Sequence, residues 1–322
     1  MKAPLTWSLM RQAYGQALVR LGEQNPDVVV LSADVSNSDF SAMFAEAFPD
    51  RFYNVGIAEQ ALVDVAAGLA YAGKVPFANT FAFLFATRAL EMIRTHLCYG
   101  GANVKLMGAY AGLSDSFDGP THHAITDLAA LRSLPGMTVV VPADAVAVER
   151  LLPQVAAWPG PVYFRLNRNE VPVLFDETYS PEISKGMVIR KGGDVTLIGT
   201  GMLLHRCLEA AQRLEADESI SARVIEIHTL KPLDRDLILQ AARETGALVT
   251  AEEHSTIGGL GAAVAEVTAG AAPVPVVRVG INDTFAESGP YLDLLDRYGM
   301  SVENIVEAAR CALSLKGGRR PG

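Results

Sequence analysis

Gly56-Ile-Ala-Glu-Gln60 places a carboxylate where chemistry is possible. Tyr53–Val55 reads as a short apolar strand and Gly56 as a corner. Ala58 to Tyr71 then reads as a helix, with Ala58, Leu62, Val65, Ala66 and Leu69 on one stripe. Glu59 falls in its first turn. A glutamate there can simply complement the positive end of the helix dipole; it can also face a ligand at the mouth of a strand–helix turn. In Asn79-Thr-Phe-Ala-Phe-Leu-Phe85 a strand ends and a helix begins, and ligands of open α/β sheets gather at the carboxyl ends of strands. Phe81 lies at that turn, where its ring can face a crevice, whereas Phe83 is expected in the core. A flat aromatic surface near Glu59 would suit a heteroaromatic ring that stacks and also offers a basic nitrogen.

Two more groups carry chemistry. The loop Gly112-Leu-Ser-Asp-Ser-Phe-Asp-Gly-Pro-Thr-His-His123 holds Asp115, Asp118 and two histidines. Adjacent histidines seldom bind one ion in tandem, and no carboxylate has helical ligand spacing to them. Acid–base work or hydrogen bonding to substrate is the expectation, because histidine titrates near neutrality. Arg165 and Arg168 follow a strand as either a surface pair or a fork for a phosphate-like anion.

The elements that must position these groups alternate. Val28–Leu31, Tyr53–Val55, Val75–Thr80, Asn103–Ala109, Thr138–Val141 and Val162–Arg165 read as strands, with helices around Phe40–Ala47, after Ala58 and over Leu84–Leu97. Continuous apolar strands between helices indicate an α/β fold, with a parallel sheet covered on both faces. Val171–Gly186 breaks the pattern with Pro172, Pro181 and Gly186 and is expected to be a linker. Alternation then restarts at Val195–Ile198 and continues through Arg223–Ile227, Leu248–Ala251 and Val276–Val279 to two closing helices. The expected layout is a domain over 1–170, a linker at 171–186, a smaller α/β domain over 187–315 and a flexible tail at 316–322. Gly258-Gly-Leu-Gly261 lacks dinucleotide-binding spacing. Asp234 is expected to cap the helix that follows it, and His254 to be structural.

Composition narrows the classes. Half of the 322 residues are hydrophobic, enough for a large core, and 27 basic against 36 acidic residues give a net charge of −9. That balance argues against nucleic acid, although a local pocket can still attract an anion. Cys98, Cys207 and Cys311 are far apart and sit in apolar helical stretches, so core thiols in a reducing cytoplasm are expected. Met1–Trp7 lacks the apolar core of a signal peptide, and no uncharged run reaches the ~20 residues of a membrane helix.

Gly56-Ile-Ala-Glu-Gln60, Thr80-Phe81 and Asp118-Gly-Pro-Thr-His122 occur in that order. His228-Thr-Leu-Lys-Pro-Leu-Asp234 and Ala251-Glu-Glu-His-Ser-Thr-Ile-Gly-Gly-Leu-Gly261 follow. Together they resemble the transketolase-type thiamine diphosphate enzymes, deoxyxylulose-phosphate synthase included, over essentially the whole chain. The resemblance implies the C-terminal half of such an enzyme: a pyrimidine-binding domain and a small C-terminal domain. Glu59 would hydrogen-bond N1′ of the cofactor's aminopyrimidine and favour its imino form. Phe81 and Phe85 would line the pyrimidine, with Asp34 nearby. His122 would act in catalysis and, with Asp118 and Ser36, touch substrate; Arg165 would be the candidate for a substrate anion. The family holds diphosphate and Mg²⁺ with a Gly-Asp-Gly motif in a preceding domain. Here Gly192-Gly-Asp194 has the wrong order and place. A separate diphosphate-binding subunit, in an α₂β₂ cytoplasmic assembly, is therefore expected.

The implied activity is transfer of a two-carbon ketol unit from a ketose, phosphorylated or not, to an aldose. Alternatives are the β subunit of a 2-oxoacid dehydrogenase and a non-catalytic accessory subunit. One departure bears on substrate: Tyr110 stands where the family usually has a histidine, 12 residues before His122. Ser114–Phe117 likewise replaces a Gly-Glu-rich approach, so a changed acceptor is possible.

Overall fold

The computed structural model describes residues 6–318; the expectation for Met1–Leu5 and the last part of the expected tail lie outside the described residues. Lys316, where that tail was to begin, instead closes the last helix, Val302–Lys316. The strands are β1 (Trp7–Leu9), β2 (Val28–Ser32), β3 (Phe52–Asn54), β4 (Val75–Phe81), β5 (Lys105–Ala109), β6 (Thr138–Val140), β7 (Val162–Arg165) and β8 (Glu170–Pro172). They continue with β9 (Met187–Arg190), β10 (Val195–Gly199), β11 (Ala222–Glu226), β12 (Thr229–Lys231), β13 (Leu248–Ser255) and β14 (Val276–Ile281). β2, β5, β6, β7, β10 and β13 are buried at every position, as apolar β-branched runs require when helices cover both faces of a sheet.

The first sheet runs β12-β6-β7-β5-β4-β2-β3 and is parallel except at β12. β12 comes from the second half of the chain, so the two halves are joined by a strand pairing as well as by packing. The second sheet runs β14-β13-β10-β11-β9, with β9 antiparallel at its edge. β1 and β8 form a separate two-stranded ladder. Asp234 caps the helix Arg235–Thr245 as expected, accepting from the Leu237 amide at 3.1 Å.

Two local expectations fail for identifiable reasons. The helix expected over Leu84–Leu97 is broken into Ala82–Ala86, Leu90–Met92 and a π-helical turn, Ile93–Tyr99. Thr87 donates its hydroxyl to the Phe83 carbonyl at 2.7 Å, and the Ala89 amide reaches Leu84 O, five residues back, at 3.0 Å. The ladder thereby loses its α register. Val65, placed on the buried stripe of helix Glu59–Tyr71, is exposed, and Val63 and Ala67 are buried in its stead. The stretch 173–186 has no strand or helix, yet it is docked. Leu174 and Phe175 donate backbone N–H to Asp144 Oδ2 at 2.7 and 2.9 Å, and the Tyr179 hydroxyl donates to the buried Glu226 carboxyl. Of the cysteines, Cys207 is buried while Cys98 and Cys311 are half-buried, and all three are free thiols. No helix among the described residues is long and apolar enough to cross a membrane.

Candidate active site

Register places the candidate groups on one edge. Ser32 of β2 lies opposite both Asn54 of β3 and Asn79 of β4; Phe81 is opposite Ala109 of β5, and Gly108 opposite Arg165 of β7. The turns after these parallel strands carry Asp34, Glu59, Phe81, Tyr110 and Arg168, and all leave the sheet at its carboxyl end.

Glu59 opens the helix Glu59–Tyr71 behind Ala58, which contributes no side-chain cap. Its side chain is 1% exposed, and Arg88 Nη1 donates to Oε2 at 2.8 Å. Oε1 has no hydrogen bond among the described residues. The dipole explanation accounts for the position of the carboxylate; the hydrogen-bond-free Oε1 is the part of it that a ligand can reach.

Phe81 is half-buried and stacks on Tyr110, with centroids 4.6 Å apart and planes 13° from parallel. The guanidinium of Arg11 lies 5.1 Å from the Tyr110 ring and that of Arg168 4.7 Å. Arg11 stands on the helix Met10–Gln24 and is tied to the Arg168 carbonyl through Nε at 3.0 Å and Nη2 at 2.7 Å, and to Ser38 O. Burial lowers its pKa. Nothing in the sequence singled out Arg11: it lies nearly 100 residues from Tyr110, and only the sheet brings them together. His122 is half-buried, 5.1 Å from the Phe83 ring and 6.5 Å from Phe81. Phe83 is therefore a half-exposed wall of the site rather than core.

Arg168 Nη1 pairs with Asp115 and, at 3.0 Å, with Asp118. Burial pushes the Asp115 carboxyl up to about 7, helped by its hydrogen bond with Asp118 and opposed by Arg168. The same hydrogen bond lowers the pKa of the exposed Asp118. Of the two carboxyls, Asp115 is the one biased toward its protonated form and Asp118 the one biased toward its ionised form. Asp115 Oδ2 and both ring nitrogens of the buried His123 lack partners among the described residues, as does Thr80 Oγ1 beside Phe81.

Two of the expected residues stand differently, and Asp34 is held by a contact of its own. Arg165 is 4% exposed, and its Nε and Nη2 bind Asp127 at 2.9 and 3.0 Å, while Nη2 also reaches the carbonyls of Ala124 and Glu253. Its charge is neutralised inside the protein, which runs against its assignment to a substrate anion; the guanidiniums that lie over the Tyr110 ring are those of Arg168 and Arg11. Phe85 is wholly buried with its ring edge-on to Tyr163 at 6.5 Å, so it offers no face to a cofactor. Asp34 is exposed at φ +63° and accepts from Asn54 Nδ2 at 2.9 Å, which makes it a clasp between the ends of β2 and β3. Ser36 is half-buried and opens the one-turn helix Ser36–Asp39.

For the aminopyrimidine that the sequence resemblance implies, Glu59 Oε1 supplies an acceptor and Phe81 a ring face. These residues fit such a group. Among the described residues no group of three His, Cys, Asp or Glu is placed to hold a metal ion.

Comparison with known proteins agrees in extent as well as in fold. The transketolase pyrimidine-binding domain family matches residues 8–173, and the transketolase C-terminal domain family matches 184–305. The chain is 37% identical to the 6-deoxy-6-sulfo-D-fructose transketolase subunit SqwH of Clostridium sp. (strain MSTE9), over 93% of each chain. It is 36% identical to a subunit of the apulose-4-phosphate transketolase of Phocaeicola vulgatus, over 93% of this chain and 96% of that one. A solved structure named as a split gene transketolase, inactive beta4 tetramer, superposes with a TM-score of 0.90 at 51% identity, covering 96% of this chain and 99% of the other.

Proposed function

We infer the function from one premise: the chain belongs to the transketolase family. It supplies the pyrimidine half of a thiamine diphosphate site and works with a separate chain that holds the diphosphate and Mg²⁺, in an α₂β₂ assembly of the cytoplasm. Together they move a two-carbon ketol unit from a ketose to an aldose. Three similarities support a two-chain enzyme. Two relatives matched almost end to end are named as transketolase subunits, and the 51%-identical one is named inactive as a β4 tetramer.

The observation that carries the reading is Glu59: a carboxylate 1% exposed with one oxygen free of hydrogen bonds, at the same carboxyl edge of the parallel sheet that carries the half-buried ring of Phe81. Glu59 would hold a proton at N1′ of the pyrimidine, and Phe81, braced by Tyr110, would fix the plane of that ring. Thiamine diphosphate, when bound, supplies the nucleophilic carbon for the ketose carbonyl and the sink for the electrons of the broken C–C bond. His122 and Asp118 lie toward the opening and would hydrogen-bond substrate hydroxyls.

Arg168 and Arg11 suit an anionic end of the substrate for a reason of charge. Asp115 and the buried Asp39, which faces Arg11, are both pushed up to about 7. Below that pH two guanidiniums face one ionised carboxylate, Asp118. The local excess is positive on a chain whose net charge is −9.

Calorimetric titration of thiamine diphosphate with Mg²⁺ tests the reading. Tight binding is expected only after this chain is mixed with a diphosphate-binding subunit, and the mixture should transfer ketol units without decarboxylating 2-oxoacids. Tight binding by this chain alone would overturn the shared site, and 2-oxoacid decarboxylation would overturn the reaction.

A further inference from the structure

The carboxyl end of β13 carries three consecutive ionisable residues, Glu252, Glu253 and His254, all buried. Two of them have local roles. Glu252 accepts the backbone N–H of Leu260 at 2.6 Å and of Gly261 at 2.8 Å, which satisfies the first donors of the helix Leu260–Ala271. His254 Nδ1 lies 2.7 Å from Ser255 O, and its Nε2 accepts the Ala129 amide at 3.3 Å.

Glu253 turns the other way, toward the loop between Tyr110 and His123. Its Oε1 accepts the Leu113 amide at 2.7 Å and its Oε2 the Tyr291 hydroxyl at 2.7 Å. Asn167 donates to the Tyr291 hydroxyl at 2.6 Å, and the Arg165 guanidinium donates to the Glu253 carbonyl at 3.0 Å. Gly112 sits against the same carboxylate at φ +63°, and a Cβ there would overlap Glu253 Oε1. Backbone and carboxylate are therefore in direct contact, and the position admits only glycine. The loop held this way carries Tyr110, Asp115, Asp118 and His122. Within it, the Gly112 amide exchanges hydrogen bonds with Ala124 at 3.2 and 2.9 Å, which closes its base.

We propose that Glu253, from the second domain, is a positioning residue for the reaction: it clamps the backbone of loop 110–123 so that its side chains hold their places at the mouth of the site. It acts through the Leu113 amide and touches neither substrate nor cofactor. The second domain then contributes to turnover directly, through one carboxylate, as well as to the stability of the assembly. The inference rests on the reading of loop 110–123 as substrate-facing, and its test separates the two.

Glu253→Met fills the same volume but offers Leu113 no acceptor; Tyr291→Phe keeps Glu253 and removes the nearer of the two side-chain donors to its Oε2, leaving Asn167 at 3.5 Å. Hydrogen exchange on the full chain should show amides 111–124 exchanging about 10-fold faster or more in both variants, with the rest of the chain unchanged, since loops open locally according to their own hydrogen bonds. With the partner subunit, kcat/KM for the ketose should fall about 10-fold or more, because small misplacements of substrate-contacting groups are costly. Affinity for thiamine diphosphate should fall less than kcat/KM, because Glu59 and Phe81 stand on other elements and only Tyr110, which braces Phe81, belongs to the loop. Unchanged loop exchange in both variants would overturn the clamp. So would faster loop exchange with wild-type kcat/KM. A wild-type complex that transfers no ketol unit would remove the functional reading instead, and loop exchange alone would then decide the clamp.

Discussion

The carboxyl edge of the seven-stranded sheet and that of the five-stranded sheet carry similar residues: acidic groups, histidines and glycine turns opening helices. They use them in opposite ways. At the end of β13 each carboxylate oxygen of Glu252 and Glu253 meets a donor, and His254 is bonded through both ring nitrogens. At the first edge Glu59 keeps an oxygen free, and Asp115 Oδ2, Thr80 Oγ1 and both nitrogens of His123 are unpartnered among the described residues. A buried polar group without a partner costs about 1–3 kcal/mol. The carboxylates at the end of β13 are spent on building the protein, whereas Glu59 and Asp115 at the first edge each keep an oxygen open. The second edge has unpartnered atoms of its own, Thr200 Oγ1 and His228 Nε2, so the contrast lies in the carboxylates.

The sharpest way to break this contrast is at Glu59. In the assembled enzyme Glu59→Gln should lower kcat by about 10²–10⁴-fold, the range for a group that moves or holds a proton. The melting temperature should hardly move, because Glu59 is tied only to the half-exposed Arg88. Full turnover in that variant would end the claim that the first edge is the site.

Arg165 tests the other side. It is as polar as Arg168, three residues away, but its charge is buried against Asp127. Arg165→Ala should destabilise the fold by about 3–5 kcal/mol, the cost of leaving a buried charge unpaired. Chemical denaturation measures it. Arg168→Ala should instead raise KM for an anionic substrate with little loss of stability.

The smallest effect concerns protons. Asp115 is pushed up to about 7, so the folded chain keeps a proton that the unfolded chain releases at the ordinary aspartate value. Its contribution to stability therefore falls as pH rises toward about 7 and levels off above that. Asp115→Asn should flatten that slope relative to wild type, read as urea midpoints across the range. An unchanged slope would mean that Asp115 is ionised throughout and that the positive excess at Arg11 and Arg168 is absent.

Several features were legible before the fold was known because they rest on local rules. The spacing of Leu62, Ala66 and Leu69 marked the helix that Glu59 opens, and Asp234 was readable as a cap. Phe81 was placed at a turn by the strand that precedes it. The roles of Arg165, Phe85 and Phe83 were not legible. On either side of a strand end, inside and outside are decided by what packs there, and Asp127, Tyr163 and His122 come from other segments. Arg11 had no local signal at all.

By itself the sequence determined the alternation of strands and helices, the parallel first sheet and the turn that carries Glu59, because period and punctuation act over a few residues. The tertiary structure decided which polar groups are spent and which are left open, which arginine is buried in an internal ion pair, that β12 crosses to the first sheet, and that Glu253 reaches back to a loop 140 residues away. Those outcomes depend on contacts between distant segments, and a hydrogen bond or ion pair is counted only when both partners are in place.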